Sequence, residues 1–455
     1  MTARQTYSAQ AWATLALGLP IIGSNLAQMA LHVTDTVLLG RYGTAPLAAV
    51  VIGTSTFFVL YVLGAGFGIA VMGMVASALG RGDEVLVRRE TRMGMWLSIV
   101  YGLLTVPLFW FSRPLLIHFG QEPDVAQLAQ DFLRIAGWGM IPALLVTVLK
   151  SYLSALEKTQ VMLWVTLSAV FVNLALAWVL IFGYYGFPEL GVRGAAIASL
   201  TVQTLTFFLL ALYAAKAEAS RRFRLFQRFW RPDWQSLRSV LRIGLPAGFT
   251  GLAESGLFVA AAVMMGWIGT VELAAHGIAM EVTALSFMVH MGLSNAATVR
   301  VGRAEGEGDL QGMRDAGVTA VGLSAGFGVL MIVLFLIERF WLVGLFIDVG
   351  NPDAERIIAV GGTLMLMAAL FQMFDAMQVM ALGLLRGVRD TRVPMWIAIV
   401  SYWFVGVPVS YGVAFLLGFG APGLWLGLAV GLAVAAAFLM LRFWRGPWLV
   451  AKAAT

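Results

Sequence analysis

Apolar residues fill long stretches of the chain, and charged residues gather in short clusters between them. A helix needs about 20 mostly apolar residues to cross a bilayer. Several stretches exceed that length, which predicts tilted or bent helices. The pattern therefore predicts an all-α integral membrane protein with twelve transmembrane helices. The stretches are 12–39, 47–78, 94–117, 126–149, 160–182, 190–214, 241–267, 271–299, 316–345, 356–385, 394–417 and 421–441.

The composition agrees with a membrane protein. Of the 455 residues, 60% are hydrophobic and 12% are charged. The charged share is about half that of a soluble domain. The chain has no cysteine, which excludes a disulfide framework and thiol chemistry.

Basic residues lie mainly on one side of the predicted helices. Clusters follow the even-numbered stretches, and eight basic residues fall between Lys216 and Arg242. Because basic loops tend to stay in the cytoplasm, we expect both termini to be cytoplasmic. The same rule explains the basic run as a signal of membrane topology. No nucleic-acid partner is therefore predicted.

The two halves of the sequence repeat each other. The tripeptide GLP at 18–20 recurs at 244–246, an offset of 226 residues, and GRGD at 80–83 recurs as GEGD at 306–309. The correspondence continues to the end of each half with a slightly larger offset. The chain therefore carries a duplicated six-helix unit.

The duplication predicts two six-helix lobes, at 1–220 and 241–455, joined by a basic cytoplasmic linker at 221–240. Because six is even, both lobes enter the membrane from the same side, and a pseudo-two-fold axis along the membrane normal should relate them. Such repeats are typical of secondary transporters that expose a midplane site to each side in turn. The alternative is that the duplication serves assembly and packing alone.

Four carboxylates lie inside the apolar stretches: Asp35, Glu254, Glu281 and Asp375. A charge at the bilayer centre costs at least about 2.5–3.5 kcal/mol, so intramembrane acids are rare and usually functional. Glu254 and Asp375 lie about equally deep, roughly 17–18 Å from the cytoplasmic ends of their helices. The sequence pattern gives none of the four a lysine or arginine partner at the same depth.

A buried carboxylate without a fixed cation can take up a proton or bind a mobile cation. Either event neutralises the charge reversibly, which is how an ion gradient can be coupled to a conformational change. Oxygen ligands at Glu254 and Asp375 also suit a monovalent cation. The alternative is a permanently protonated carboxyl group that is hydrogen-bonded to helix backbone or to a hydroxyl group.

Several uncharged side chains could support these acids. Asn173 could pair with Asp35, and His32 lies one helical turn before it. His290 is a lone histidine in a helix, and such a histidine is more often a packing residue than a proton relay. Methionine and aromatic side chains around 371–380 can line a cavity for varied organic molecules, although most such side chains simply pack. The residues expected to line a substrate cavity are Asn173, His32, Phe371, Met377 and Gln378.

Several motifs along the chain resemble one transporter family. They are VTDTVLLG at 33–40, LAAH at 273–276, FDAMQV at 374–379 and GLLRG at 383–387. In this order and spacing they resemble the multidrug and toxic compound extrusion (MATE) family, and in particular its NorM-type branch. The resemblance covers essentially the whole chain.

The resemblance implies the MATE/MOP fold and export of cationic, amphipathic organic compounds by antiport with H⁺ or Na⁺. It implies that Glu254 and Asp375 are the cation-coupling acids of the second lobe, where Na⁺ could bind. Asp35 with Asn173 would form the polar centre of the first lobe, and Glu281 would be a further coupling acid. It also implies a monomer without a cofactor, in a bacterial inner membrane and surrounded by lipid.

Three positions depart from the family pattern. Phe371 stands where relatives often carry tyrosine, Gly277 where they often carry glutamine, and Glu281 where asparagine is more usual. Fewer neutral oxygens and an additional carboxylate favour H⁺ over Na⁺ as the coupling ion.

Three alternatives to gradient-driven drug export are a flippase, an intramembrane enzyme and an ATP-driven pump. A lipid-linked oligosaccharide flippase of the same superfamily would carry basic residues inside its cavity, whereas the arginines here stay at the cytoplasmic edge. An intramembrane enzyme or an ATP-driven pump would need motifs such as His-Glu-x-x-His or a phosphate-binding loop, which the sequence lacks. We therefore expect a transporter and not an enzyme.

Overall fold

The computed structural model describes residues 7–347 and 352–450, and its regular elements in these ranges are all helices. Short 3₁₀ turns occur at Gly137–Gly139 and Tyr184–Gly186, and π turns at Val400–Gly406 and Gly412–Leu416. The α-helices are α1 (Tyr7–Tyr42), α2 (Thr44–Gly80), α3 (Glu84–Trp110), α4 (Ser112–His118), α5 (Pro123–Ala136), α6 (Met140–Ala155), α7 (Thr159–Phe182), α8 (Val192–Lys216), α9 (Glu218–Arg221), α10 (Trp234–Ile268), α11 (Thr270–Glu307), α12 (Leu310–Ile337), α13 (Arg339–Gly344), α14 (Ala354–Gly387), α15 (Arg392–Ile399), α16 (Val407–Tyr411), α17 (Gly420–Trp444) and α18 (Pro447–Val450).

Within the described residues, twelve helical segments are long and apolar enough to cross a membrane. This confirms the predicted all-α architecture with twelve spans. The fourth segment joins α5 to α6, and the eleventh joins α15 and α16 through the π turns. Several helices are longer than their apolar stretches, as where α1 begins at Tyr7 and α10 at Trp234. Their polar ends can project beyond the hydrocarbon layer.

The repeat is visible in one turn of each copy. Gly82 and Gly308 both have positive φ angles, 71° and 72°, which glycine adopts without steric cost. The following residues, Asp83 and Asp309, each accept a hydrogen bond from the backbone amide three residues on, at 2.9 Å in both copies. These aspartates cap α3 and α12, so the repeated Gly-Asp sequence fixes the start of the third helix in each half.

Prolines interrupt some spans and not others. Pro20 and Pro246 are related by the repeat, and each lies inside a continuous helix, α1 or α10. Pro142 follows the 3₁₀ turn that separates α5 from α6, and Pro408 lies between the two π turns. Since proline lacks a backbone donor, the helix must rearrange around it, and such π turns are one result.

The chain folds into two compact units. One comprises Gly23–Gly248, and the other comprises the described parts of Met1–Ile22 and Phe249–Thr455. Both divisions fall within helices, in α1 and in α10. The lobes at 1–220 and 241–455 and the linker at 221–240, which were defined by the repeat, remain a prediction.

In the second unit, α14 packs closely against α11. Ser294 Oγ donates to the backbone oxygen of Val379 at 2.7 Å, and Thr298 Oγ1 donates to that of Gly383 at 2.8 Å. A Cβ atom on Gly383 would lie 2.6 Å from the backbone oxygen of Ser294. The absence of a side chain at Gly383 therefore allows the close approach that fixes α14 about two turns beyond Asp375.

Candidate functional site

Two carboxylates approach each other in the second unit. Glu254 lies on α10 and Asp375 on α14, and their charges interact. Asp375 is 2% exposed. Among the described residues, neither Asp375 Oδ1 nor Glu254 Oε1 has a hydrogen-bond partner. Buried polar atoms are nearly always paired, so these two oxygens are available for a proton or a small cation.

Two glutamines on α14 extend this group of oxygens. Gln378 Nε2 donates to the Tyr402 hydroxyl at 2.6 Å, and Gln372 Nε2 donates to Ser286 Oγ at 2.6 Å. The amide oxygen of each glutamine is buried and has no partner among the described residues. Gln372 lies three residues before Asp375, and Gln378 lies three residues after it. The oxygens of all three side chains therefore follow one side of α14. Gln378, predicted from the sequence as a cavity residue, is fully buried next to the acids.

Tyr402 brings a hydroxyl group to the same acids. It is fully buried, and its phenol interacts electrostatically with both Glu254 and Asp375. Its oxygen accepts the hydrogen bond from Gln378, so its own proton remains available to another acceptor. The sequence analysis missed Tyr402, which lies 27 residues after Asp375 in a π turn.

A basic side chain also reaches this group. Arg386, near the end of α14, interacts with the charge of Glu254. Arg386 therefore acts on Glu254 through its charge, without forming an ion pair with it among the described residues. A long arginine side chain can bring its charge several ångströms from its own helical level, which linear spacing does not show.

Phe371 lies in an aromatic core rather than beside an open cavity. Its ring packs against Phe258, with centroids 6.1 Å apart, and against Trp425 at 5.4 Å. Trp425 Nε1 in turn donates to His276 Nδ1 at 3.1 Å. Phe371 thus fixes the turn of α14 before Asp375 by packing. Met377, the other apolar residue expected to line a cavity, is partly exposed.

The first unit contains a separate polar centre. Asp35 Oδ1 accepts a hydrogen bond from Asn173 Nδ2 at 2.7 Å, and Oδ2 accepts one from Ser199 Oγ at 3.3 Å. These residues lie on α1, α7 and α8. The structure therefore places Asn173 against Asp35, as expected from the sequence. Ser199 was missed because a single serine in an apolar helix has no distinctive pattern.

The remaining candidates are not among the residues that form these centres, although His32 lies one helical turn before Asp35. Glu281 is exposed on α11 and is not among the groups that interact with Glu254 or Asp375. His32 is also exposed. His290 is fully buried, and its Nδ1 lies 2.7 Å from Ser324 Oγ on α12, which fits the packing role. The structure does not bring Glu281 or His32 into either polar centre.

One half-buried lysine, Lys150, is indicated by the sequence only as a topology signal. Lys150 lies within α6, five residues before its end. Its Nζ lies 3.2 Å from Ser24 Oγ and 3.1 Å from Gln28 Oε1, both on α1. Its position before the end of the helix, rather than in the loop, was the signal that could have identified it.

Neither centre has the composition of a transition-metal site. The described ranges contain no group of three or more histidine, cysteine, aspartate or glutamate side chains that could hold a metal ion. The Glu254–Asp375 group instead offers two carboxylates with neutral amide and hydroxyl oxygens, a donor set for H⁺ or an alkali cation.

Comparisons with known proteins agree on one family. The MatE family model matches residues 20–179 and 246–412. The chain is 46% identical to a "Probable multidrug resistance protein NorM" of Rhizobium meliloti, over 95% of this chain and 93% of that protein. It is 43% identical to the protein of the same name from Agrobacterium fabrum, with the same coverage of both chains.

Solved structures show the same fold. The crystal structure of the eukaryotic MATE transporter AtDTX14 matches with a TM-score of 0.86 at 19% identity, covering 98% of this chain and 97% of that one. An outward-facing multidrug resistance MATE family transporter of the MOP superfamily matches with a TM-score of 0.87 at 20% identity, covering 97% of both chains.

Proposed function

The chain belongs to the MATE family of transporters, and on that premise we propose that it exports cationic, amphipathic organic compounds by antiport with an inorganic cation. The full-length relatives are named as multidrug resistance proteins. We further propose that it works as a monomer in a bacterial inner membrane, with both termini in the cytoplasm.

The observation that carries this proposal is the pair of unpartnered carboxylate oxygens at Glu254 and Asp375. Two neighbouring buried acids repel each other when both are charged, so a positive ion that enters between them is strongly favoured. Its departure restores the repulsion. The pair can therefore alternate between two states that differ in charge by one cation.

We propose H⁺ as the coupling ion. A proton needs a single acceptor oxygen, and each acid offers one. Phe371 brings no oxygen to the pair, and Glu281 does not join it, so Na⁺ would depend on the two acids with the neutral oxygens of Gln372, Gln378 and Tyr402. Tyr402 supplies a hydroxyl group near the acids, and Gln378 holds its oxygen by a hydrogen bond.

In the proposed cycle, the outward-open form takes H⁺ onto the second-unit acids. Neutralisation removes the repulsion between α10 and α14 and changes how these helices pack. Because Ser294 and Thr298 hold the later part of α14 to α11, the change is confined to the turn that carries Asp375. The cationic substrate then leaves, since the acids no longer offer it a negative charge.

Proteoliposomes that hold an ethidium-like dye test this proposal. We expect an imposed pH gradient to drive dye movement and an imposed Na⁺ gradient alone to drive little. Asp375→Asn and Glu254→Gln should each abolish the response to the pH gradient, because each removes one of the two exchanging charges.

A matched control is Glu281→Gln, which removes an exposed carboxylate from α11 and should leave the response intact. Dye movement that follows the Na⁺ gradient and not the pH gradient would show that Na⁺, rather than H⁺, is the coupling ion. If both site variants remained fully driven by the pH gradient, the assignment of the coupling site would be wrong.

A further inference from the structure

The polar contacts of Lys150 are directed entirely at neutral groups. Thr166 Oγ1 donates to the backbone oxygen of Met162 at 2.8 Å, so the Ser24 hydroxyl, 2.9 Å from Thr166 Oγ1, must donate its proton to Thr166. Ser24 Oγ therefore accepts from Lys150, as does the amide oxygen of Gln28. No carboxylate of the described residues forms an ion pair with Lys150.

These acceptors lie on the face of α1 that carries Asp35. Ser24, Gln28 and Asp35 are spaced four and seven residues apart, which places them on one side of the helix. From Gln28 to Asp35 the helix rises about 10 Å. Thr166 and Asn173, which contact Ser24 and Asp35, are likewise two turns apart on α7. These residues form a polar seam along α1 and α7, with the contacts of Lys150 at one end and those of Asp35 two turns away.

The seam is partly accessible. Gln28, Asp35, Lys150 and Ser199 are all half-buried, whereas Ser24, Thr166 and Asn173 are buried behind them. A ligand that reaches Asp35 would thus meet the charge of Lys150 across a short distance of protein rather than across bulk water.

The internal repeat gives this lysine a counterpart of opposite charge. At the offset of 226, Gln28 corresponds to Glu254, which interacts with Asp375 on the fourth spanning segment of its own half. Lys150 occupies the fourth spanning segment of the first half, one turn from the position that corresponds to Asp375. The first half therefore pairs an amide with a lysine where the second half pairs two acids.

We propose that Lys150 is a fixed positive charge that sets how strongly the Asp35 centre holds cationic substrates, and so selects substrates by their net charge. The proposal rests on the proposed function, because it concerns the same cationic substrates. In the second half, where Arg386 also interacts with Glu254, the acids hold an exchangeable cation. In the first half, the lysine side chain carries a positive charge beside an amide.

The physical consequence is a graded repulsion. A positive charge on a substrate at Asp35 would lie on the order of 10 Å from Lys150, which at an effective dielectric constant near 20 weakens binding by about tenfold per charge. A substrate with two positive charges should therefore be disfavoured about tenfold more than one with a single charge. This limits how tightly the carboxylate can retain a cation that must be released.

Ethidium and propidium provide the test, because they share one chromophore and carry one and two positive charges. Binding of each dye to the purified full-length protein is measured by fluorescence for wild type, Lys150→Met and Lys150→Arg. We expect Lys150→Met to tighten propidium binding about tenfold more than ethidium binding. Lys150→Arg, which keeps the charge, should retain the wild-type ratio of the two dissociation constants.

The ratio separates charge from packing, because a loosened helix would change both affinities alike. Lys150→Gln, which keeps polar contacts to α1, serves if the methionine variant does not fold. Lys158→Met removes an exposed lysine beyond α6 and should leave the ratio unchanged. If wild type binds both dyes and the ratio is unchanged in both neutral variants, the role of Lys150 is overturned. The proposed function would then still stand. If wild type bound neither dye, the proposed function would fail, and this inference with it.

Discussion

The hydroxyl group of Tyr402 lies near the acids of the second unit, where the helix of Asp375 offers no oxygen at position 371. Phe371, one turn before Asp375, is packed between Phe258 and Trp425 and offers no polar atom. Tyr402 approaches the same acids from the eleventh span and is oriented by Gln378. We therefore expect Tyr402 to provide the acids with a neutral oxygen that α14 does not supply at position 371.

We expect Tyr402→Phe to slow dye export driven by a pH gradient by about tenfold. We expect Tyr402 to donate to a charged acid during the cycle, and a hydrogen bond of that kind is worth about 1.5–3 kcal/mol. Initial rates of dye movement in proteoliposomes measure the effect. Tyr411→Phe removes a half-exposed hydroxyl from α16 and should change little. Equal rates for Tyr402→Phe and wild type would show that the Tyr402 hydroxyl has no role at the site.

At the scale of the helix, the close contact of α14 with α11 holds the acid in place. The two hydrogen bonds from α11 hydroxyls end on backbone oxygens of α14, at Val379 and Gly383. Serine and threonine hydroxyls that bond across helices are a common means of holding transmembrane helices together. Small residues at the contact are what permit it.

Gly383→Ala should therefore destabilise the protein. The added methyl group would press on the Ser294 backbone, and overpacking of this kind costs about 1–3 kcal/mol. Thermal unfolding in detergent should show a lower midpoint. Gly277→Ala on α11 is the control, since nothing lies within 4 Å of a Cβ atom there. A midpoint as high as that of the control would show that α14 can shift without strain.

The helices themselves could be predicted, but many of their contacts could not. Apolar stretches and the cost of buried charge identified the spans and singled out Asp35, Glu254 and Asp375. The contacts of Lys150, Arg386 and Tyr402 were missed because no pattern in the sequence pairs these side chains with residues on other helices. Glu281 was singled out by the same cost of burial, yet its side chain is exposed. Depth along one helix does not determine which way a side chain faces.

At the scale of the molecule, the duplication gives two copies of one helical plan with different charges. The Gly-Asp turn before the third helix is the same in both copies. The polar residues are not: one copy carries Asp35 with Lys150, and the other carries Glu254 with Asp375. The two halves thus share the Gly-Asp turn but differ in the charged residues of their polar centres.

The proposed orientation can be tested with single cysteines, because the chain has none of its own. We expect Tyr185→Cys, at a position that is 90% exposed, to react with an impermeant maleimide added outside intact spheroplasts. Gln227→Cys, in the basic segment after α8, should react only after the membrane is opened. The reverse pattern would place both termini outside.

The central claim is that the acids of the second unit give up a positive ion when a cationic substrate binds. The most direct measurement is proton release from the purified protein in weakly buffered detergent on addition of ethidium, followed with a pH-sensitive dye. We predict stoichiometric release from wild type and from Glu281→Gln, and none from Glu254→Gln combined with Asp375→Asn. Ethidium binding to wild type without proton release, in the absence of Na⁺, would contradict the account.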